Sequence, residues 1–166
     1  MTENEEKLYQ IFAEIGIKEY TVHEHEAIFT SKEAEDKGLI MDGLNLKNLL
    51  MKDKKSGRFF LVILDDHRRM DTAHFKKVTG WGKTRFANEE EMLSVLGLTP
   101  GSVSPFGLIC DEEKLVTVVL EEKIVKAAET ELVNFHPNRN TATLSMTKKD
   151  FLRFLEYIGN PVIFEK

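Results

Sequence analysis

Leu44-Asn45-Leu46-Lys47-Asn48-Leu49-Leu50-Met51, the turn Asp53-Lys54-Lys55-Ser56-Gly57, and Arg58-Phe59-Phe60-Leu61-Val62-Ile63-Leu64 together form the stretch on which the fold turns. Two apolar runs separated by a short polar, glycine-closed turn predict two strands joined as a hairpin. The second run is apolar nearly throughout, which places it centrally in a sheet. In the first, period-two alternation sets Asn45, Lys47 and Leu49 on one face and Leu46, Asn48 and Leu50 on the other.

Toward the N-terminus, Thr2-Glu3-Asn4-Glu5 has the pattern of a capping box, and Leu8, Ile11, Phe12 and Ile15 then share a helical face up to Gly16. Tyr20 to His25 alternates as a short strand. Thr30 with Glu33 predicts a second capped helix ended by Gly38. Toward the C-terminus, Asp71 opens a short helix that closes at Gly80, and Asn88 with Glu91 caps another that stops at Gly97. Leu98 to Gly107 is a Gly/Pro/Ser loop, too broken for regular structure. The valines of Leu115 to Leu120 predict a strand, followed by a short helix around Lys123 to Ala128. Leu132 to Phe135 and Thr141 to Met146 read as strands flanking the turn His136-Pro137-Asn138-Arg139-Asn140. Thr147 caps a last helix that turns Phe151, Leu152, Leu155 and Ile158 to the core, and Pro161 to Phe164 adds an edge strand. There is no repeat, linker or low-complexity tract. The expectation is α/β: one domain spanning residues 1–166, a mixed β-sheet with flanking helices.

A chain of 166 residues fits one compact domain with a substantial core. Its apolar runs are broken by charge within a few residues, so no membrane span is expected. The acidic N-terminus lacks the regions of a secretory signal. Cys110, the single cysteine, cannot form an internal disulfide and suits a reducing compartment. Beside an apolar run it reads as a buried structural thiol rather than a nucleophile. These features read as cytoplasmic. The net charge of −5 argues mildly against a nucleic-acid partner. Its distribution argues otherwise: residues 45–85 hold 11 Lys or Arg against 4 Asp or Glu, whereas residues 1–44 hold 4 against 11. That basic segment is either an ordinary solvated surface or a face for phosphates.

Familiar catalytic patterns are missing: no phosphate-binding Gly-rich loop, no Gly-x-Ser-x-Gly, no His-Glu-x-x-His. His23 and His25 would share a strand face at a spacing that can bind a metal, but no third ligand accompanies them. Three places stand out. Lys47 lies inside an otherwise apolar strand, where it either reaches solvent or is held in a cleft to fix a phosphate or polar substrate group. Gly101-Ser102-Val103-Ser104-Pro105-Phe106-Gly107 is either a plain connection or a loop whose backbone amides bind a ligand oxygen. Phe135-His136-Pro137-Asn138-Arg139-Asn140-Thr141 brings a histidine into a turn between strands, where it stabilises the turn or faces a cleft edge.

Taken together, His25-Glu26-Ala27-Ile28-Phe29-Thr30, Lys47-Asn48-Leu49, Gly101 to Gly107 and Phe135-His136-Pro137-Asn138 resemble, in order and over nearly the whole chain, the YbaK/ProX family of trans-editing aminoacyl-tRNA deacylases. The resemblance is strongest to its ProXp-ala (PrdX-like) prolyl-tRNA-editing branch, which clears alanine from proline tRNA. It implies a mixed-sheet α/β fold and no metal or organic cofactor. It implies that Lys47 anchors the tRNA 3′ end or the substrate near the ester, and that Gly101, Ser102, Val103, Ser104 and Pro105 shape the amino-acid pocket, with Gly101 offering backbone to the reacting carbonyl. His136 would contact substrate or acceptor stem. Asn48, Asn138, Ile28, Phe29 and Thr30 would complete the pocket. Related members often read Gly-Arg-Leu-Ser-Phe where this chain has Gly82-Lys83-Thr84-Arg85-Phe86, so Lys83 or Arg85 would supply a tRNA contact there.

The chemistry so implied is hydrolysis of the ester of a mischarged tRNA, with a positioned water and help from the substrate's neighbouring ribose hydroxyl. The partners implied are mischarged tRNA(Pro) and prolyl-tRNA synthetase, with no membrane. The rival readings are the same scaffold acting on serine or cysteine, a non-catalytic tRNA- or synthetase-binding module, and a metal-dependent hydrolase using His23 and His25.

Overall fold

The computed structural model describes residues 2–27 and 41–166. The helix expected from Thr30 to Gly38, and Ile28, Phe29 and Thr30 as pocket residues, lie outside the described residues. In the hairpin, β2 (Leu44–Asp53) and β3 (Phe59–Asp65) pair antiparallel from Leu46↔Asp65 to Lys52↔Phe59. Asp53 builds the turn by accepting from the Lys55 amide (3.0 Å) and the Ser56 hydroxyl (2.9 Å), and its Oδ2 reaches the Gly82 amide (3.2 Å). Those bonds favour the carboxylate and hold the Asp53 carboxyl below its ordinary value.

The remaining strands are β1 (Tyr20–Glu24), β4 (Thr84–Phe86), β5 (Val116–Leu120), β6 (Leu132–Phe135), β7 (Ala142–Thr147) and β8 (Val162–Phe164). The described strands form one mixed sheet in the order β1-β7-β6-β2-β3-β5-β8, with β4 beside the end of β2. β6 joins β2, and β5 and β8 follow β3, in parallel; the other pairings are antiparallel. The helices are α1 (Glu3–Glu14), α2 (Thr72–Thr79), α3 (Glu89–Leu96), α4 (Glu122–Lys126) and α5 (Lys148–Ile158). Among the described residues no helix is long and apolar enough to cross a membrane.

Strand β3 shows why this sheet is covered on both sides. Phe59, Leu61 and Ile63 enter the larger core with α1, α3 and α5, while Phe60, Val62 and Leu64 enter a smaller one with Phe75 of α2 and Trp81. At the centre of the larger core the Phe106 ring meets Phe12, Phe135 and Phe154 at 5.6, 5.7 and 5.2 Å, each near edge-on. This is the arrangement that aromatic quadrupoles favour.

Most helix ends follow the sequence signals: Asp71 and Gly80 bound α2, an Asn88–Glu91 capping box and Gly97 bound α3, and Thr147 caps α5. Four readings need correction. Thr2 caps α1 through the Glu5 amide, but the Glu5 carboxylate binds Tyr9 and Arg139, leaving only half a capping box. The loop from Leu98 ends in a 3-10 helix, Pro105–Cys110, because Ser104 caps it and Pro105 starts it. α4 begins at Glu122 and ends at Lys126, before Ala128. β1 stops at Glu24, so His25 lies beyond it, and β4 is a short strand that Gly82 to Phe86 did not announce.

The junction of β2 with β6 is tight. Gly43 has φ +89°, and a Cβ there would lie 2.4 Å from the Leu132 carbonyl oxygen. Gly43→Ala therefore combines a left-handed backbone with a backbone overlap. It is expected to lower the unfolding free energy by about 2–4 kcal/mol in urea denaturation, and an unchanged midpoint would refute this account of the junction.

Candidate active site

Strand β6 runs beside β2 for two positions only, Leu44↔Val133 and Asn45↔Asn134. It then ends at Phe135, while β2 continues and meets β4 at Met51. Among the described residues, Leu46 to Leu49 therefore have no strand partner on that edge. The result is a slot in the sheet beyond the carboxyl end of a parallel strand, the kind of place where α/β sheets build sites. Lys47 lies two residues past the last β2 position paired with β6, and His136 lies one residue past the end of β6; by alternation each continues the side of its strand that carries Asn45 or Asn134. Asn134 fixes the divergence: its amide donates to the Asp42 and Leu44 carbonyls (2.7 and 3.1 Å), and its oxygen accepts from Ser145.

Lys47 is half-buried opposite Leu64, on the face of the smaller core. Among the described residues its ammonium has no hydrogen-bond or ion-pair partner. Asn48 stands opposite Ile63 on the larger-core face, and its buried Oδ1 has no partner among the described residues. The slot thus offers a cation on one side of the sheet and an unused acceptor on the other.

Past Phe135 the chain turns back to β7 through His136 to Thr141. The Nδ1 of His136 bonds the Ala142 carbonyl at 2.8 Å, so Nδ1 carries the proton and Nε2 is left as an acceptor. Burial pushes the His136 pKa down and nearby His25 pushes it the same way, against the raising effect of the Ala142 bond. The two rings stand 6.2 Å apart. His25 is itself fixed between the Glu26 carbonyl (2.7 Å, Nδ1) and the Thr143 hydroxyl (2.8 Å, Nε2). Asn138 sits at φ +63° and donates to the Phe106 carbonyl at 3.3 Å, which ties this turn to the 3-10 helix. Its Oδ1 is a second buried acceptor without a partner.

The loop before that helix turns at Gly101, φ +89°. Ser102 and Ser104 are buried, and the Ser104 hydroxyl accepts from the Phe106 amide, so it acts as a cap. Val103 is half-buried against the larger core, and Pro105 is buried. Of the two basic candidates beyond β2, Arg85 is engaged two-pronged by Glu91 (2.6 and 2.9 Å), whose carboxyl is held down at about 2 mainly by that arginine. Lys83 is exposed.

His23 pairs across from Thr143 on β1 and is exposed, whereas His25 has the partners just described. Among the described residues no group of three or more His, Cys, Asp or Glu is placed to hold a metal ion. Burial raises the Cys110 thiol above its ordinary range.

Sequence reasoning passed over Arg139 and the neighbourhood of His25. Arg139 bonds Glu5 of α1, Glu24 at the end of β1 and Thr141. The signal was present in α1: Glu5 lies three residues before Leu8 and seven before Phe12, on the apolar stripe, and a buried acid needs a cation.

Residues 25–154 match the family described as the aminoacyl-tRNA editing domain. The prolyl-tRNA editing protein ProX of Acetoanaerobium sticklandii is 33% identical over 141 residues, 85% of this chain and 84% of that protein. The prolyl-tRNA synthetase associated domain-containing protein 1 of Bos taurus is 34% identical over 159 residues, 94% of this chain and 91% of that one. A solved structure described as a candidate trans-editing enzyme for prolyl tRNA synthetase aligns with TM-score 0.72 over 100% of this chain and 99% of that one, at 22% identity, a likeness of fold.

The state of His136 is open to test. A histidine with a depressed pKa is neutral in the folded chain where the unfolded chain already binds a proton, so stability rises with pH across that window. As pH falls below about 6.5, the ordinary value, this contribution is lost. NMR titration of the His136 imidazole is expected to give a midpoint below the ordinary one, and His136→Gln is expected to flatten the pH dependence of unfolding between pH 7 and pH 5. A midpoint above the ordinary value would contradict the buried neutral ring.

Proposed function

The chain belongs to the aminoacyl-tRNA editing domain family and is an editing deacylase; on that premise we propose that it acts in trans as one cytoplasmic domain, freeing tRNA(Pro) of alanine. The observation that supports the reading is the slot where β2 and β6 part, with Lys47 two residues past their last pair on one strand and His136 just past the end of the other. The named relatives that edit prolyl-tRNA or are associated with its synthetase support the tRNA and make prolyl-tRNA synthetase the natural partner.

An aminoacyl ester is already activated, so holding it beside a water and stabilising the oxyanion suffices without a nucleophilic triad. In this proposal the Lys47 ammonium holds the tRNA 3′ end near the ester. The Gly101 to Pro105 loop walls the amino-acid pocket and turns backbone amides to the carbonyl oxygen. His136, neutral with Nε2 open, accepts a hydrogen bond from substrate, and the neighbouring ribose hydroxyl orients the water. Asn48 and Asn138 supply buried acceptors that lack internal partners. Exposed Lys83 and the basic 45–85 segment meet acceptor-stem phosphates, with binding that weakens as salt rises.

Editing is required because a pocket made for proline loses only about 1–3 kcal/mol per missing methylene when it takes the smaller alanine. A second, smaller pocket admits alanine and excludes proline on size.

Purified protein incubated with tRNA(Pro) charged with alanine, serine, cysteine or proline is expected to release alanine and leave proline attached. Lys47→Ala is expected to lower kcat/KM by about 100-fold or more. Preferred release of serine or cysteine would reassign the substrate. Release from none of them would favour a tRNA- or synthetase-binding module, and undiminished activity of Lys47→Ala would remove Lys47 from the site.

A further inference from the structure

The turn from His136 to Thr141 carries the histidine assigned above to contact substrate, yet little regular structure holds it in place. It includes Pro137 and the left-handed Asn138, and it leaves the sheet at Phe135 to rejoin it at Ala142. Three anchors hold it. His136 bonds Ala142 at the base of the turn, Asn138 reaches the Phe106 carbonyl, and Arg139 reaches out to two other elements.

The Arg139 contacts are complete. Nε donates to Glu5 (2.7 Å), Nη1 to Glu24 (2.7 Å) and the Thr141 hydroxyl (2.9 Å), and Nη2 to Glu24 (2.6 Å) and Glu5 (3.3 Å). A guanidinium has five N–H donors, and all are used. Glu5 is 1% exposed and also takes the Tyr9 hydroxyl at 2.6 Å, so removing the guanidinium would strand a buried carboxylate. Both ends of the grip border His25. Glu24 precedes it in the chain, and the Thr141 carbonyl accepts the His25 amide at 2.9 Å. His25 in turn is held by Thr143 and stands beside His136.

We propose that Arg139 is a positioning residue for the editing reaction: it locks the β6–β7 turn to α1 and to the end of β1, and thereby fixes the His25–His136 pair so that His136 presents Nε2 to the slot. The inference rests on the reading of His136 as a substrate contact. The forked geometry is essential to it, because a lysine at this position offers one point of charge where two carboxylates and a hydroxyl are bridged. The two acids keep the guanidinium ionised, holding its pKa above the ordinary value.

The test uses the full chain with Arg139→Gln, Arg139→Lys, Glu24→Gln and His136→Ala, assayed for deacylation and by 15N spectra of the imidazoles. Arg139→Gln is expected to lower kcat about tenfold with a smaller change in KM, and to replace the single Nδ1-protonated signal of His136 by a tautomer mixture. Arg139→Lys should restore little of this. Glu24→Gln, a change at a largely exposed carboxylate (69%), opens one arm of the grip and should cost a few-fold in kcat without unfolding the chain. In a His136→Ala background, Arg139→Gln should cost nothing further, since both act through one group. A wild-type kcat and an unaltered His136 signal in folded Arg139→Gln, or in Glu24→Gln if the former does not fold, would overturn the proposal, as would additive losses in the double variant. Full activity of His136→Ala alone would instead overturn the site reading, and the 15N spectra would still decide whether Arg139 fixes the ring.

Discussion

Strand β2 must satisfy ten residues of backbone on two edges, and the way it does so shapes the rest of the molecule. Along β3 the pairing is unbroken, which brings the most apolar strand to the middle of the sheet. On the other edge two short partners share the strand, β6 at its start and β4 at its end. A buried strand normally has its amides and carbonyls paired. Among the described residues a few stay without a strand partner between the two, and the candidate site lies at that break.

Polar interactions then secure what the sheet leaves loose. At one end, Arg139 bridges α1, β1 and the histidine turn. At the other, Arg68 binds Glu121 and Glu165 while Glu165 also takes the Glu122 amide and His74, which fastens the segment after β8 to α2 and to the start of α4. The Glu165 carboxyl is held down at about 2, with Arg68 the main cause. Both clusters bury carboxylates that are costly without their arginine partners, so they resist rearrangement more than they add stability. Between them the aromatic centre around Phe106 supplies the apolar cohesion and carries the carbonyl that Asn138 holds.

Much of this was legible in the chain. The Leu44–Leu64 hairpin, the central place of Phe59 to Leu64 and the caps at Asp71, Asn88 and Thr147 are written in local patterns, and local patterns formed them. Lys47 and His136 could be singled out because each interrupts such a pattern. That both follow the point where β2 and β6 part could not be read, since it depends on a two-residue parallel pairing between strands about ninety positions apart. Nor could the Arg139 grip, whose partners lie 134 and 115 residues away. The capping role of Ser104 could not be read for a related reason: a serine in a Gly/Pro loop can cap a helix only if the residues after it turn into one, and here the next six do.

That long reach has a consequence for how the protein is made. A ribosome adds about 5–20 residues per second, so Glu5 emerges on the order of ten seconds before the guanidinium that neutralises it. Until then α1 carries an acid on its apolar stripe and has reason not to dock. β1 and the start of β2 likewise wait for β7 and β6, which follow the hairpin and β5 in the chain. The hairpin and β5 can assemble early, but the slot takes shape only once β6 and β7 have been added. A nascent chain therefore holds no finished site until the Arg139 turn and β7 have been added.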